Sequence, residues 1–277
     1  MKNVTTIGLL FGFFLFLGLG LATPGHATPI TNGGFESGDF AGWSTIGDTL
    51  VVNSSFGVTP PGGTHQALIT NGPGFLLYGK FPGSYSGIDS VYAGSIVYNP
   101  FDPFLGLSVG SVTQFAYAIG DTIAIEGSAI KQSFTANAGS ILSFKWNYLT
   151  DEGLPIDFAF AVLDGSLILL ADSSTTQPGS GTLFANESGY HTFATTLTGS
   201  GTHQIAIGVV DTGDSAVNSG VLLDDFTIRA LAEPGTLLLL ISGLACLCTL
   251  HRTRKTNTAL PPHPVAARRV QFCRRKD

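Results

Sequence analysis

In several stretches between Thr28 and Arg229 the apolar residues of this chain recur at every second position, and no stretch there carries the long 3.6-residue period of a capped amphipathic helix. In SILSFKWNYL, Leu142, Phe144, Trp146 and Tyr148 share one side and Ser143, Lys145 and Asn147 the other, the signature of a half-buried strand. HQIAIGVV (Ile205, Ile207, Val209) and DFAFAVLD (Phe158, Phe160, Val162) alternate in the same way. WSTIGDTLVVN, VTQFAYA, TIAIEGSAIKQSF, GSLILLAD, YHTFATT and GVLLDDFTIR are further strand candidates. About nine or ten strands between Gly-rich turns predict an all-β, antiparallel two-sheet sandwich and argue against a parallel α/β fold. The 36 glycines and 12% charged residues agree with that pattern, because surface helices need more Lys, Glu and Arg. Residues 54–110, with FGVTPPGG, NGPGF, KFPGSYSG and YNPFDPFLG, are the least regular part and read as loops covering a face or forming a binding rim.

Charge is divided sharply along the chain. Between Thr28 and Ala232, Lys80, Lys131, Lys145 and Arg229 stand against seventeen acidic residues, a balance of −13. Such a surface repels nucleic acid and anionic lipid. After Pro234 come eight basic residues and one acid, Asp277. Cys246, Cys248 and Cys273 all lie in this last part, so the acidic middle has neither a disulfide framework nor a Cys-based zinc site.

Both ends read as processing signals. Residues 1–27 open with Lys2, continue through an apolar stretch from Ile7 to Leu21, and close with Pro24, Gly25 and Ala27. This is the layout a signal peptidase requires, with cleavage expected after Ala27; an uncleaved anchor is the alternative. Near the other end, Thr236–Leu250 is a fifteen-residue apolar run, short of the roughly 20 residues a comfortable span needs. It is followed by His251, Arg252, Arg254 and Lys255, which would stay cytoplasmic. Transient membrane contact through this run is expected.

Turn, short apolar span and basic cluster together resemble the PEP-CTERM sorting signal of Gram-negative bacteria. Ala232, Glu233 and Pro234 stand where that family has Pro-Glu-Pro, and the chain continues beyond the cluster as TNTALPPHPVAARRVQFCRRKD. The resemblance implies removal of the tail by an integral-membrane exosortase and delivery to the cell surface or extracellular matrix. A plain C-terminal anchor is the other reading. The expected organisation is a signal peptide at 1–27, a secreted β-sandwich at 28–231, a sorting signal at 232–255 and a disordered basic tail at 256–277.

The opening ITNGGFESGDFAGW resembles the first strand of jelly-roll modules related to carbohydrate-binding and galactose-binding-like domains, and VLLDDFTI (Val221–Ile228) resembles their last strand. By parity Leu222, Asp224, Phe226 and Ile228 fall on one face, which would set a carboxylate against the core, an expensive arrangement unless it is neutralised. If the first and last strands pair, Glu36 meets Asp224 or Asp225, and these oxygens suit a structural calcium ion pinning the termini together. The alternative is an exposed strand end, solvated or paired with Arg229.

A second acidic group, TDEGLPIDF, holds Asp151, Glu152 and Asp157. Two carboxylates are what a glycosidase needs, but an apparent strand-to-strand loop is commonly a solvated turn. Neither Gly-x-Ser-x-Gly nor His-Glu-x-x-His occurs, and Gly213-Asp214-Ser215 lies between late strands rather than at a strand-to-helix turn. Trp43 and Trp146 are expected to pack. Tyr78, Phe81, Tyr85, Tyr92 and Phe101 are the freer aromatic candidates for sugar stacking.

The expectation is a non-catalytic secreted protein, handled by signal peptidase and exosortase and associated with exopolysaccharide in a biofilm matrix, with calcium as a structural ion. A surface polysaccharide hydrolase and a purely structural matrix protein are the alternatives.

Overall fold

The computed structural model describes residues 29–72, 91–93, 99–153, 157–213, 217–230 and 240–247. The chain divides into two units, Met1–Leu231 and Ala232–Asp277. In the first, the alternating stretches become β1 (Ser44–Ile46), β2 (Asp48–Asn53), β3 (His65–Thr70), β4 (Val91–Tyr92), β5 (Ala124–Ala136), β6 (Ile141–Thr150) and β7 (Phe158–Leu163). They continue as β8 (Ser166–Asp172), β9 (Gln177–Pro178), β10 (Asn186–Glu187), β11 (His191–Thr196), β12 (Gly201–Thr212) and β13 (Ser219–Arg229). Two short helices, α1 (Phe101–Phe104) and α2 (Ser111–Ala118), interrupt them.

All the pairings are antiparallel. One sheet runs β1-β5-β12-β7-β8, with β4 also on β5; the other runs β2-β3-β13-β6-β10-β9, with β11 also on β6. If β3, β5, β6, β7, β8, β11, β12 and β13 are numbered one to eight, the sheets read 2-7-4-5 and 1-8-3-6. These are the interlocked Greek keys of a jelly roll. The first and last long strands pair, Leu222 opposite Leu68.

Three apolar layers hold this together. Between the sheets, Phe35, Phe144, Tyr148, Ile69, Ile130, Ile207 and Leu223 are buried almost completely. The outer face of the β5–β12–β7 sheet is covered by α1 and α2, through Phe101, Leu105, Val112 and Ala116 against Phe158, Phe160 and Val210. The outer face of the other sheet carries a smaller cluster of Phe56, Leu68, Leu149, Phe184 and Leu222.

The alternation in β6 is as expected, with Leu142, Phe144 and Tyr148 in the inter-sheet core. Three expectations are corrected. VTQFAYA is not a strand but lies within α2, where Val112 and Ala116, four apart, share the buried face. Its start is fixed from outside: the buried Asp102 carboxylate accepts the Gly110 N–H at 2.5 Å and also draws on the Ser111 and Val112 N–H groups. Burial pushes the Asp102 carboxyl up and these N–H donors pull it back. Second, HQALIT, inside the supposedly irregular 54–110, forms β3, apolar on both faces because both of its neighbouring layers are filled. Third, WSTIGDTLVVN is two strands in different sheets. It turns at Gly47, whose φ of +77° and close approach to Ser128 admit no side chain.

In the second unit, residues 240–247 are helical and expose Leu240, Ile241, Leu244 and Leu247. Among the described residues no helix is long and apolar enough to cross a membrane. Ala27, Ala232, Glu233, Pro234 and the stretches 1–27 and 248–277 lie outside the described residues.

Candidate functional site

The opening segment, expected as the first strand, is instead a run of turns and bends over residues 31–42 that docks on the last strand through backbone. The Phe226 N–H donates to the Gly33 carbonyl at 2.9 Å. A Cβ on Gly33 would strike the Phe226 carbonyl oxygen, which accounts for glycine there. Phe35 then enters the core, its ring 5.5 Å from Trp43 and 6.1 Å from Phe226, while Trp43 meets Phe226 at 4.8 Å. Such aromatic contacts add to plain area burial.

The parity expected for β13 is corrected by a β-bulge. The register to β6 shifts between Asp224 and Thr227, and Asp225 takes a left-handed φ of +56°. The extra residue returns Phe226 to the inter-sheet core, whereas Leu222 lies in the outer cluster. Asp224, two residues from Leu222 and ahead of the bulge, follows it to the outer side. It is nevertheless fully buried, beneath the 60–65 loop.

That loop gathers the acidic side chains. Asp224 Oδ2 accepts the Gly62 N–H at 2.9 Å and Oδ1 accepts the Asp225 N–H at 2.7 Å. The Asp225 carboxylate packs against Gly62. Glu36 Oε1 accepts the N–H groups of Thr64 and His65, both at 2.9 Å, and Oε2 accepts the Thr64 hydroxyl at 2.9 Å. Glu36 thus holds Thr64 and His65 while Asp224 and Asp225 meet Gly62 of the same loop. The electrostatics separate them. The N–H groups of His65 and Thr64 hold Glu36 below the usual carboxylate range. Burial, reinforced by Asp225 and Glu36, pushes Asp224 up to about 7 against the opposing pull of its two N–H donors. Among the described residues no ion pair within 4.0 Å joins Arg229 to Asp224.

The fit to a cation is partial. Glu36 spends both oxygens on the loop, and among the described residues no group of three His, Cys, Asp or Glu is arranged to hold a metal. What remains is a buried, like-charge-stressed Asp224 with Asp225 beside it.

Asp157, from the second acidic group, is 1% exposed at the far edge of the sandwich. It accepts Asn71 Nδ2 at 2.7 Å, the Ser219 hydroxyl at 2.8 Å and the Thr212 N–H at 3.1 Å, so it joins the ends of β3, β12 and β13. Burial pushes it up to about 7. Asp151 Oδ1 accepts the Ala185 N–H at 2.6 Å, and Glu152 Oε1 accepts the Gly153 N–H at 3.0 Å. The three carboxyl groups close turns and strand ends.

Of the aromatic candidates, Phe101 is fully buried and is corrected from platform to core. Tyr78, Phe81, Tyr85 and the Tyr92 side chain lie outside the described residues. Trp43 packs as expected, and Trp146 is half-buried, stacked on His191 at 4.8 Å. A small open cavity is lined by the end of β2 and the turn after it together with Gly38 and His65; it carried no signal in the sequence, because Gly38 and His65 join that turn only in space.

No family model matches the chain, and no curated protein matches it. Solved structures resemble it at low similarity. One is the carbohydrate-binding module TmCBM61 in complex with β-1,4-galactotriose: 14% identity, 73% of this chain and 97% of that one, TM-score 0.37. Another is the K2 cleaved adhesin domain of Lys-gingipain: 12% identity, 72% and 96%, TM-score 0.34. A third is the CBM22-1 xylan-binding domain of Paenibacillus barcinonensis Xyn10C: 11% identity, 76% and 99%, TM-score 0.30. These likenesses concern the fold alone, and the jelly-roll assignment stands on the strand order itself.

Proposed function

We propose that this chain is a non-catalytic extracellular jelly-roll protein that associates with polysaccharide. The observation that carries the reading is the meeting of the two segments that resemble carbohydrate-binding modules. NGGFE and DDF are distant in sequence yet form one backbone-paired, aromatic-backed unit through Gly33, Phe35, Glu36, Asp224 and Phe226. The roles of the other carboxyl groups support the absence of catalysis. Asp157 has a carboxyl raised as a general acid's would be, but it is buried among three structural donors. On a glycan array the purified protein is expected to retain polysaccharide without turning it over. Glycosidase activity abolished by Glu152→Gln would replace this reading with the hydrolase, and no retention of any glycan would leave the matrix-protein alternative.

Delivery is proposed to follow the terminal signals, with cleavage after Ala27 and exosortase removal of the Ala232-Glu233-Pro234 tail, placing the protein on the surface or in the biofilm matrix of a Gram-negative bacterium. The intact mass of protein recovered from its host reads both cleavage points together.

Calcium is proposed as the neutraliser of Asp224, held by Asp224, Asp225 and backbone carbonyls, with Glu36 holding the loop rather than the ion. Such an ion would supply the positive charge that the site lacks. At pH 7.5, calcium at a hundred times its dissociation constant is expected to stabilise the protein by about 2.7 kcal/mol. A melting temperature indifferent to calcium and to chelator, with no calcium in the purified protein, would remove the ion from the account.

A further inference from the structure

The loop that carries Glu36 also shapes a cavity of about 140 Å³, open to solvent and lined by Gly38, Val51, Asn53, Ser55, Phe56 and His65. It lies against β2, which among the described strands is at the edge of its sheet. Drug-sized pockets occupy roughly 300–1,000 Å³, so this one has room for a single ring and not for an oligosaccharide. Asn53 is held over the turn, its Oδ1 accepting the Ser55 N–H at 2.9 Å, and both side chains are exposed at the rim.

The chemistry of the cavity is set by a proton chain. Glu36, held below the usual carboxylate range, is ionised and can only accept, so the Thr64 hydroxyl gives it its one proton at 2.9 Å. The same hydroxyl oxygen lies 2.9 Å from His65 Nδ1. With its own proton committed, Thr64 can only accept there, so neutral His65 carries its proton on Nδ1. The lone pair is then on Nε2, which faces the Gly38 wall; a Cβ built on Gly38 would lie 3.9 Å from it. A ligand must therefore bring an O–H donor to Nε2 and polar groups to Asn53 and Ser55, and set an apolar face near Phe56. Negative charge is disfavoured by Glu36 and by the acidic domain around it.

We propose that this cavity binds one neutral sugar residue, a free hexose or the terminal unit of a glycan, with His65 Nε2 accepting a hydroxyl proton. The proposal rests on the polysaccharide reading above and narrows it to a chain-end site for uncharged sugars.

The test titrates the full-length protein with D-galactose, D-glucose, D-mannose, D-xylose and D-glucuronate, and separately measures retention on the polysaccharides of the glycan array. At least one neutral sugar is expected to bind saturably, with glucuronate about tenfold weaker or absent. His65→Ala, which removes the acceptor, and Ser55→Phe, which fills the mouth from an exposed position, are each expected to weaken binding about tenfold or more. The Ser55 variant keeps the test valid if the His65 variant folds poorly. Sugar binding that survives both substitutions would overturn the cavity as the site while leaving the polysaccharide reading in place. Polysaccharide retention without binding of any single sugar would overturn it likewise, as would pairing of an extended peptide along β2 in place of sugar. Failure to bind any sugar or polysaccharide would end both readings.

Discussion

Phe35→Ala is expected to lower stability by about 3–5 kcal/mol, or about 6–20 °C in melting temperature for a domain of this size. Phe35 is fully buried, and its ring meets Phe40, Trp43 and Phe226. Truncation leaves a void at the one place where the opening segment is fastened to the last strand. The neighbourhood cannot collapse readily, because Gly33 is already in backbone contact with Phe226 and the bulge at Asp224–Thr227 fixes the β13 course. Loss of hydrogen-exchange protection around Gly62–His65 should accompany the drop, since Glu36 follows Phe35 directly. A fall of less than about 1 kcal/mol by denaturant titration would mean that the segment is not part of the core.

The second large effect is an inverted pH dependence. Asp157 and Asp224 both have folded-state values of about 7 against a reference of 3.8, raised chiefly by burial and further by Glu152 in one case and by Asp225 and Glu36 in the other. Between about pH 4 and pH 7 the folded state holds more protons than the unfolded one, so stability falls as pH rises through this window and levels off above about 7. A carboxyl moved this far is worth on the order of 4 kcal/mol, so the pair should make the apo protein several kcal/mol more stable near pH 4.5 than at pH 7.5. Glu36 and Asp39 act in the opposite sense below that optimum, because their carboxyls are held low by hydrogen bonds that acid removes. Chemical denaturation across pH 4–8 in chelator reads the slope. Asp157→Asn and Asp224→Asn should each flatten it, and calcium should flatten the Asp224 part alone. A stability that rises from pH 4.5 to 7.5 in the apo protein would contradict the penalty that burial places on the charged form of both groups.

How far the fold was legible depends on what each strand touches. β6 could be read from its residues because one face meets the core and the other carries Ser143 and Lys145 at the surface. β3 could not, since Ala67 and Ile69 face one apolar layer while Leu68 faces another, which erases alternation. VTQFAYA misleads for the converse reason: eight residues are too few to display a helical period, and the carboxylate that fixes the start of α2 is Asp102, from α1. The bulge that decides which side Asp224 faces was not legible, because period-two counting has no means of registering an inserted residue.

By its own pattern the chain determined the all-β class and the acidic middle set between an apolar start and a basic end. Only the tertiary structure decided that β1 and β2 belong to different sheets, that the acidic residues serve as caps and cross-ties, and that Gly38 and His65 meet the turn after β2 around one cavity. The physical reason is range. Periodicity and composition are local properties that each segment carries alone, whereas hydrogen-bond partners such as Glu36 with Thr64, or Asp157 with Asn71 and Ser219, are chosen by closure of the two sheets over residues far apart in the chain.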